Sequence, residues 1–190
     1  MVLIVGISGA SGVIYGIRLL EFLKGKRDIE THLIITDAGT ANITYETGWN
    51  IKDICSLAHS VYDVNDISAR LASGSFRNDG MIIAPCSVKT LSAVANSYTD
   101  NLLVRAADVT LKERRRLILM VRETPFHLGH IRNMERVTEM GGIVLPPVPA
   151  FYHKPKTIDD IINHTVGKIL DIFEIQHSLY SRWDGFQSQR

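Results

Sequence analysis

Short runs of consecutive apolar residues alternate along this chain with stretches in which apolar residues recur three or four apart. The first run, Val2, Leu3, Ile4 and Val5, predicts a strand buried on both faces, and Val13, Ile14, Ile17 and Leu20 after it fit one face of a helix. The same alternation continues. Strands are predicted over 31–36, 80–84 and 117–121, with a short one over 143–145, and helices from Ala38 to near Gly48 and over 101–116, 127–140 and 158–180, with a further one starting at Leu91. Residues 50–79 are less regular, with a short helix over 51–58, a short strand at Val61-Tyr62 and a polar stretch over 69–79. Prolines crowd 146–155 and predict a rigid loop. Strand and helix signals taking turns predict a parallel sheet covered by helices on both faces, a three-layer α/β/α fold with a mostly parallel sheet. No linker, repeat or low-complexity segment interrupts it, so one domain over 1–190 is expected, with a C-terminal helix and tail from about residue 157.

Composition narrows the function classes. A chain of 190 residues with 45% hydrophobic and 22% charged residues suits one soluble α/β domain. A net charge of +1 gives no electrostatic reason to expect nucleic acid or a membrane surface as partner. The apolar start is short and runs into a glycine turn, far below the roughly 18 residues that span a bilayer, so a cytoplasmic protein is expected. Cys55 and Cys86 lack paired metal spacing and lie in apolar contexts, and neither a disulfide nor a metal site is expected.

Candidate chemistry gathers where predicted strands pass into helices. Gly6-Ile7-Ser8-Gly9-Ala10-Ser11-Gly12 joins the first strand to the first helix, and its glycines let backbone approach a ligand while the helix start favours an anion. The spacing is neither the dinucleotide fingerprint nor a P-loop, and tight packing alone is the competing explanation. A second such turn is Pro85-Cys86-Ser87-Val88-Lys89-Thr90, where Ser87 and Thr90 read either as helix caps or as ligand contacts. Thr36-Asp37 at another strand end carries the same two readings. Glu46 reads most simply as a solvated charge. Arg105 falls within the apolar part of its helix, where a guanidinium needs a partner or an anion, and Lys168 also lies among apolar residues. Arg122-Glu123 at a strand's carboxyl end either clamps a phosphate and moves a proton or is a surface ion pair.

Five segments together resemble the UbiX-type flavin prenyltransferases, formerly described as aromatic acid decarboxylases. They are the 6–12 glycine turn, the 85–90 turn, Arg105-Ala106-Ala107-Asp108-Val109 leading to Leu111-Lys112-Glu113-Arg114-Arg115, Arg122-Glu123-Thr124-Pro125, and Pro149-Ala150-Phe151-Tyr152-His153. The resemblance runs in order over about residues 3–183. It implies a flavodoxin-like, Rossmann-like α/β domain, a homo-oligomer of dodecamer size, and FMN as acceptor of a dimethylallyl group from dimethylallyl phosphate. Bonds then form at N5 and C6 of reduced FMN, and the prenylated FMN serves a UbiD-type decarboxylase.

By matching position the resemblance assigns Gly9, Ala10, Ser11, Thr36, Ser87, Val88, Lys89, Thr90, Arg105 and Arg122 to the flavin, with Ser11 near N5. Lys112, Arg122, Tyr152 and Lys168 surround the prenyl phosphate, and Ser11, Glu46 and Glu123 are the catalytic set. Such residues suit the chemistry, because cations stabilise a departing phosphate and an aromatic face tolerates the cationic allyl fragment. Lys168 stands where the family usually has Arg, Val88-Lys89 replaces a more usual Thr-Gly, and Val121 replaces a common Pro. Two alternatives remain from other classes: an FMN-binding decarboxylase, of an aromatic acid or of a cysteine-derived carboxylate, and a non-catalytic flavin carrier subunit.

Overall fold

A computed structural model describes residues 1–185, in two compact units, Met1–Pro146 and the chain from Pro147 onward. The first unit holds six strands, β1 (Val2–Ile7), β2 (Glu30–Ile35), β3 (Ser60–Tyr62), β4 (Gly80–Cys86), β5 (Arg116–Val121) and β6 (Ile143–Val144). Between them lie α1 (Ile14–Lys24), α2 (Asp37–Glu46), α3 (Ile51–Cys55), α4 (Val88–Ala95), α5 (Leu102–Lys112) and α6 (Leu128–Glu139). A single 3-10 turn, Arg70–Ala72, interrupts the polar stretch before β4.

The strands form one sheet in the order β3-β2-β1-β4-β5-β6, and every pairing is parallel. Alternation along the pleat divides their apolar residues between two layers. Ile4, Ile34, Met81, Ile83, Leu117 and Leu119 join Leu91, Val94, Leu102, Leu103 and Ala106 of α4 and α5 in one buried cluster. From the other side α1 packs on β1, β2 and β4, with Gly16 set against Ile7 and the Ala84 carbonyl. The layers are those of the expected α/β/α fold. Because the strand order runs outward in both directions from β1 and β4, the connections leave that pair toward opposite edges. A crevice opens there, outside the carboxyl ends of the two strands.

The second unit is built on α7 (Ile158–Ile172), which opens with a capping box between Thr157 and Asp160. The apolar spacing predicted this helix to residue 180, and it stops eight residues earlier. Glu174 takes a left-handed backbone with φ of 59°, and the Ile175 N–H returns to the Leu170 carbonyl at 3.0 Å. The chain then folds back, and His177, Tyr180 and Arg182 all bring side chains to the Asp171 carboxylate. Gly167 leaves room for this return, since a Cβ there would lie 2.6 Å from the Tyr180 ring.

Candidate functional site

The crevice at the β1/β4 reversal has a volume of about 460 Å³, within the size range of small-molecule sites. One wall is the start of α4, from Ser87 to Thr90, and opposite it stand Gly9, Thr36, Asp37 and Ala38. Asn65, Asp100 and Asn101 add polar side chains at its margin, none of which the sequence motifs had singled out. Gly9 is required by close approach: a Cβ on it would come within 2.3 Å of the Ala38 Cβ.

Ser87 is the N-cap of α4, its Oγ accepting from the Thr90 N–H at 3.2 Å and donating to Thr90 Oγ1 at 3.1 Å. Leu91 N–H is bonded to the Ser87 carbonyl, which leaves Val88 and Lys89 to present the other N–H donors of the first turn. With the positive end of the helix dipole and the Lys89 ammonium, these donors could hold an anion at one end of the crevice. Thr36 likewise both caps α2, through a 3.0 Å bond from the Gly39 N–H, and lines the crevice. Capping and ligand contact are therefore compatible readings of these hydroxyls, because a cap also fixes the helix start against the cavity.

Ser8 ties the two turns together. It is fully buried, its Oγ donates to the Pro85 carbonyl at 2.9 Å and accepts from the Ser87 N–H at 2.8 Å, and its own N–H reaches Pro85 at 3.2 Å. The sequence offered only its place between two glycines as a signal. The glycine turn itself differs from a phosphate cradle, because a protein carboxylate takes the helix start: Glu46 Oε2 accepts from the Gly12 N–H at 2.8 Å and from the Val13 N–H at 3.4 Å. Glu46 is thus pinned rather than merely solvated, and Ser11 stands exposed beside it. Ala10 is buried in the same turn.

The remaining cations and acids of this unit separate. Arg105 is not buried as its position suggested; its side chain is 36% exposed, with Nε on the Ala72 carbonyl at 3.1 Å and Nη1 on Asp108 at 3.0 Å. Together with Arg115, which holds the Gly74 and Phe76 carbonyls, it fastens the 72–76 loop to α5. Lys112 pairs with Glu113 at the carboxyl end of α5, whose opposite end meets the crevice through Asn101 and Val104. Arg122 is exposed, its backbone N–H bonded to the Cys86 carbonyl at 3.1 Å, and Glu123 accepts from the Thr124 N–H at 2.8 Å. These two neighbours form no ion pair with each other in the described geometry.

The second unit holds Tyr152 and Lys168. Tyr152 Oη lies 2.9 Å from His164 Nε2, and Lys168 follows His164 by one helical turn on α7. Lys168 is exposed, contrary to its apolar sequence surroundings. Among the described residues no group of His, Cys, Asp or Glu is arranged to hold a metal ion, and no helix is long and apolar enough to cross a membrane. Both cysteines are free thiols, and burial pushes each thiol up from its ordinary value.

A family model described as Flavoprotein matches residues 1–182. Flavin prenyltransferase UbiX of Thauera aromatica is 60% identical over 97% of this chain and 95% of its own length. The chain belongs to the UbiX-type flavin prenyltransferase family of flavoproteins. Among solved structures of this family, AnUbiX (PadA1) in complex with FMN and dimethylallyl pyrophosphate superposes with a TM-score of 0.95 at 45% identity, covering 98% of each chain. The dodecameric FMN-dependent UbiX-like decarboxylase of Escherichia coli O157:H7 superposes with a TM-score of 0.96 at 44% identity, covering 97% of this chain and all of the other. The residues present fit a flavin mononucleotide. The start of α4 suits its single phosphate, the side chains of Asp37, Asn65, Asp100 and Asn101 suit a polyol, and glycine at position 9 lets the first turn close against Ala38 along the crevice wall.

Proposed function

We propose that this chain is a flavin prenyltransferase, transferring a dimethylallyl group from dimethylallyl phosphate to N5 and C6 of reduced FMN. The observation that carries this reading is the full-length likeness to AnUbiX, which holds both an FMN and a prenyl pyrophosphate. When bound, reduced FMN supplies the nucleophilic atoms. Ser87, Val88, Lys89 and Thr90 hold its phosphate at the start of α4; Gly9, Ala10, Ser11 and Thr36 border the ring; and Arg105 and Arg122 complete the flavin set. Arg122, Lys112, Tyr152 and Lys168 stabilise the prenyl phosphate as its C–O bond breaks, because charge accumulates on the phosphate oxygens in that step. Glu46 holds the turn that carries Ser11 through the Gly12 and Val13 N–H groups, and Glu123 exchanges protons with the departing phosphate or the flavin edge.

Lys112 reaches such a site from another copy of the chain. It lies eight residues beyond Val104, about 12 Å along α5 and at the far end of the sheet from its own crevice. A homo-oligomer, with a dodecamer as its size, therefore belongs to this reading, as do a single functional domain over the whole chain, a cytoplasmic location and a UbiD-type decarboxylase that receives the prenylated FMN. The experiment is to compare Glu123→Gln with wild type under anaerobic turnover. The variant binds FMN as tightly and transfers the prenyl group at least about a hundredfold more slowly, the low end for loss of a proton-transfer group; a wild-type rate removes Glu123 from the chemistry.

A further inference from the structure

His164 has no place in the set assigned above, yet the second unit is arranged around it. Its residue is 7% exposed, its ring stacks on His153 with centroids 4.8 Å apart and planes 4° apart, and the Tyr180 ring lies 4.6 Å away on a tilted plane. Its Nε2 meets Tyr152 Oη at 2.9 Å. Lys168 stands one turn along the same helix, so Tyr152, His164 and Lys168 form one cluster.

A tyrosine has one proton to give, and a phosphate dianion offers only acceptors. If Tyr152 donated to His164, it would turn lone pairs toward an anion. If His164 donates to Tyr152, the phenol proton is free for the phosphate. Burial first, then the neighbouring His153 and Lys168, lower the His164 pKa, so the ring is neutral at pH 7 and carries a single N–H.

We propose that His164 is a positioning residue for prenyl transfer: its Nε2–H donates to Tyr152 Oη, and the Tyr152 hydroxyl is thereby aimed at an oxygen of the prenyl phosphate. This rests on the reading that Tyr152 contacts that phosphate. The chain thus distinguishes a tyrosine that donates to substrate from one spent on its own neighbour, and His164 decides which. Its effect falls on binding of the phosphate and leaves flavin binding alone.

The test varies dimethylallyl phosphate at saturating reduced FMN in Tyr152→Phe, His164→Leu, His164→Gln and the Tyr152→Phe/His164→Leu double variant. Tyr152→Phe raises KM about tenfold or more, the loss of one hydrogen bond to a charged group. His164→Leu raises KM about fivefold with kcat less affected, and His164→Gln, whose amide can donate to the phenol, stays near wild type. The double variant is no worse than Tyr152→Phe, and FMN affinity is unchanged throughout. Should His164→Leu fail to fold, His164→Asn, too short to reach Tyr152, takes its place. A wild-type KM in His164→Leu, equal damage in His164→Gln, or full additivity in the double variant overturns the proposal. A wild-type KM in Tyr152→Phe instead overturns the reading of Tyr152 on which it rests.

Discussion

Replacing Ser8 with alanine isolates the contact that joins the two ligand-facing turns. Ser8 Oγ is the acceptor for the Ser87 N–H at 2.8 Å, in a residue with no exposed surface. Alanine leaves that N–H without its partner beneath the crevice, while the Pro85 carbonyl keeps a bond from the Ser8 N–H at 3.2 Å. An unsatisfied buried donor costs about 1–3 kcal/mol. At about 2–4 °C per kcal/mol for a chain of this size, Ser8→Ala lowers the melting temperature by roughly 4–8 °C if the cost is about 2 kcal/mol. Because Ser87 caps α4, the same variant weakens FMN binding, read by titrating apoprotein and following flavin fluorescence. Ser11→Ala is the control, since Ser11 is exposed and its replacement leaves the melting temperature within about 2 °C. If Ser8→Ala melts with wild type and binds FMN equally well, the bridge does not hold the crevice together.

Other elements give equally direct expectations. Gly16→Ala places a Cβ 2.2 Å from the Ala84 carbonyl oxygen, which is backbone and yields poorly, so it destabilises by about 1–3 kcal/mol in thermal melts; an unchanged melt contradicts the close contact of α1 and β4. Burial lowers the His32 pKa despite the opposing carboxylate of Glu30, so as pH falls the unfolded chain takes up the proton first. Its stabilising contribution is complete above about pH 6.5 and declines below it, and His32→Gln flattens the loss of melting temperature between pH 7.5 and 5.5; an equal loss in the variant rules His32 out as its source. Although burial acts to raise it, hydrogen bonds from Tyr180 and His177, with Arg182 beside them, keep the Asp171 carboxyl below its ordinary value. That contribution is present above about pH 4 and lost as pH falls further, and Asp171→Asn increases proteolytic cleavage after α7 at pH 7; wild-type resistance shows that the chain return does not depend on Asp171.

The sheet and its covering helices were legible because their apolar residues are local and periodic, and β1, β2, β4 and β5 fall within two residues of the expected runs. The end of α7 was misread for the same reason. Phe173 and Ile175 are buried and continue the apolar spacing, yet the backbone has already left the helix, and the chain folds back so that His177 and Tyr180 reach Asp171. Within the site, strand-end hydroxyls such as Thr36, Ser87 and Thr90 were visible as motif residues. Their companions Asn65, Asp100 and Asn101 reach the crevice only through the paths of loops, which no short spacing encodes. Glu46 shows the limit plainly: its bond to the Gly12 N–H spans 34 residues, and nothing in either segment announces it. Arg105 lies among apolar residues in the sequence, yet its side chain reaches the surface and is held by the Ala72 carbonyl and Asp108.

The most direct measurement is the mass of the flavin recovered from the protein after anaerobic incubation with reduced FMN and dimethylallyl phosphate, with the diphosphate run in parallel. Prenyl transfer predicts a flavin heavier by one dimethylallyl unit, formed only when protein and prenyl donor are both present. FMN recovered unchanged with both donors would contradict the assignment and leave a flavin-binding protein without this transferase activity.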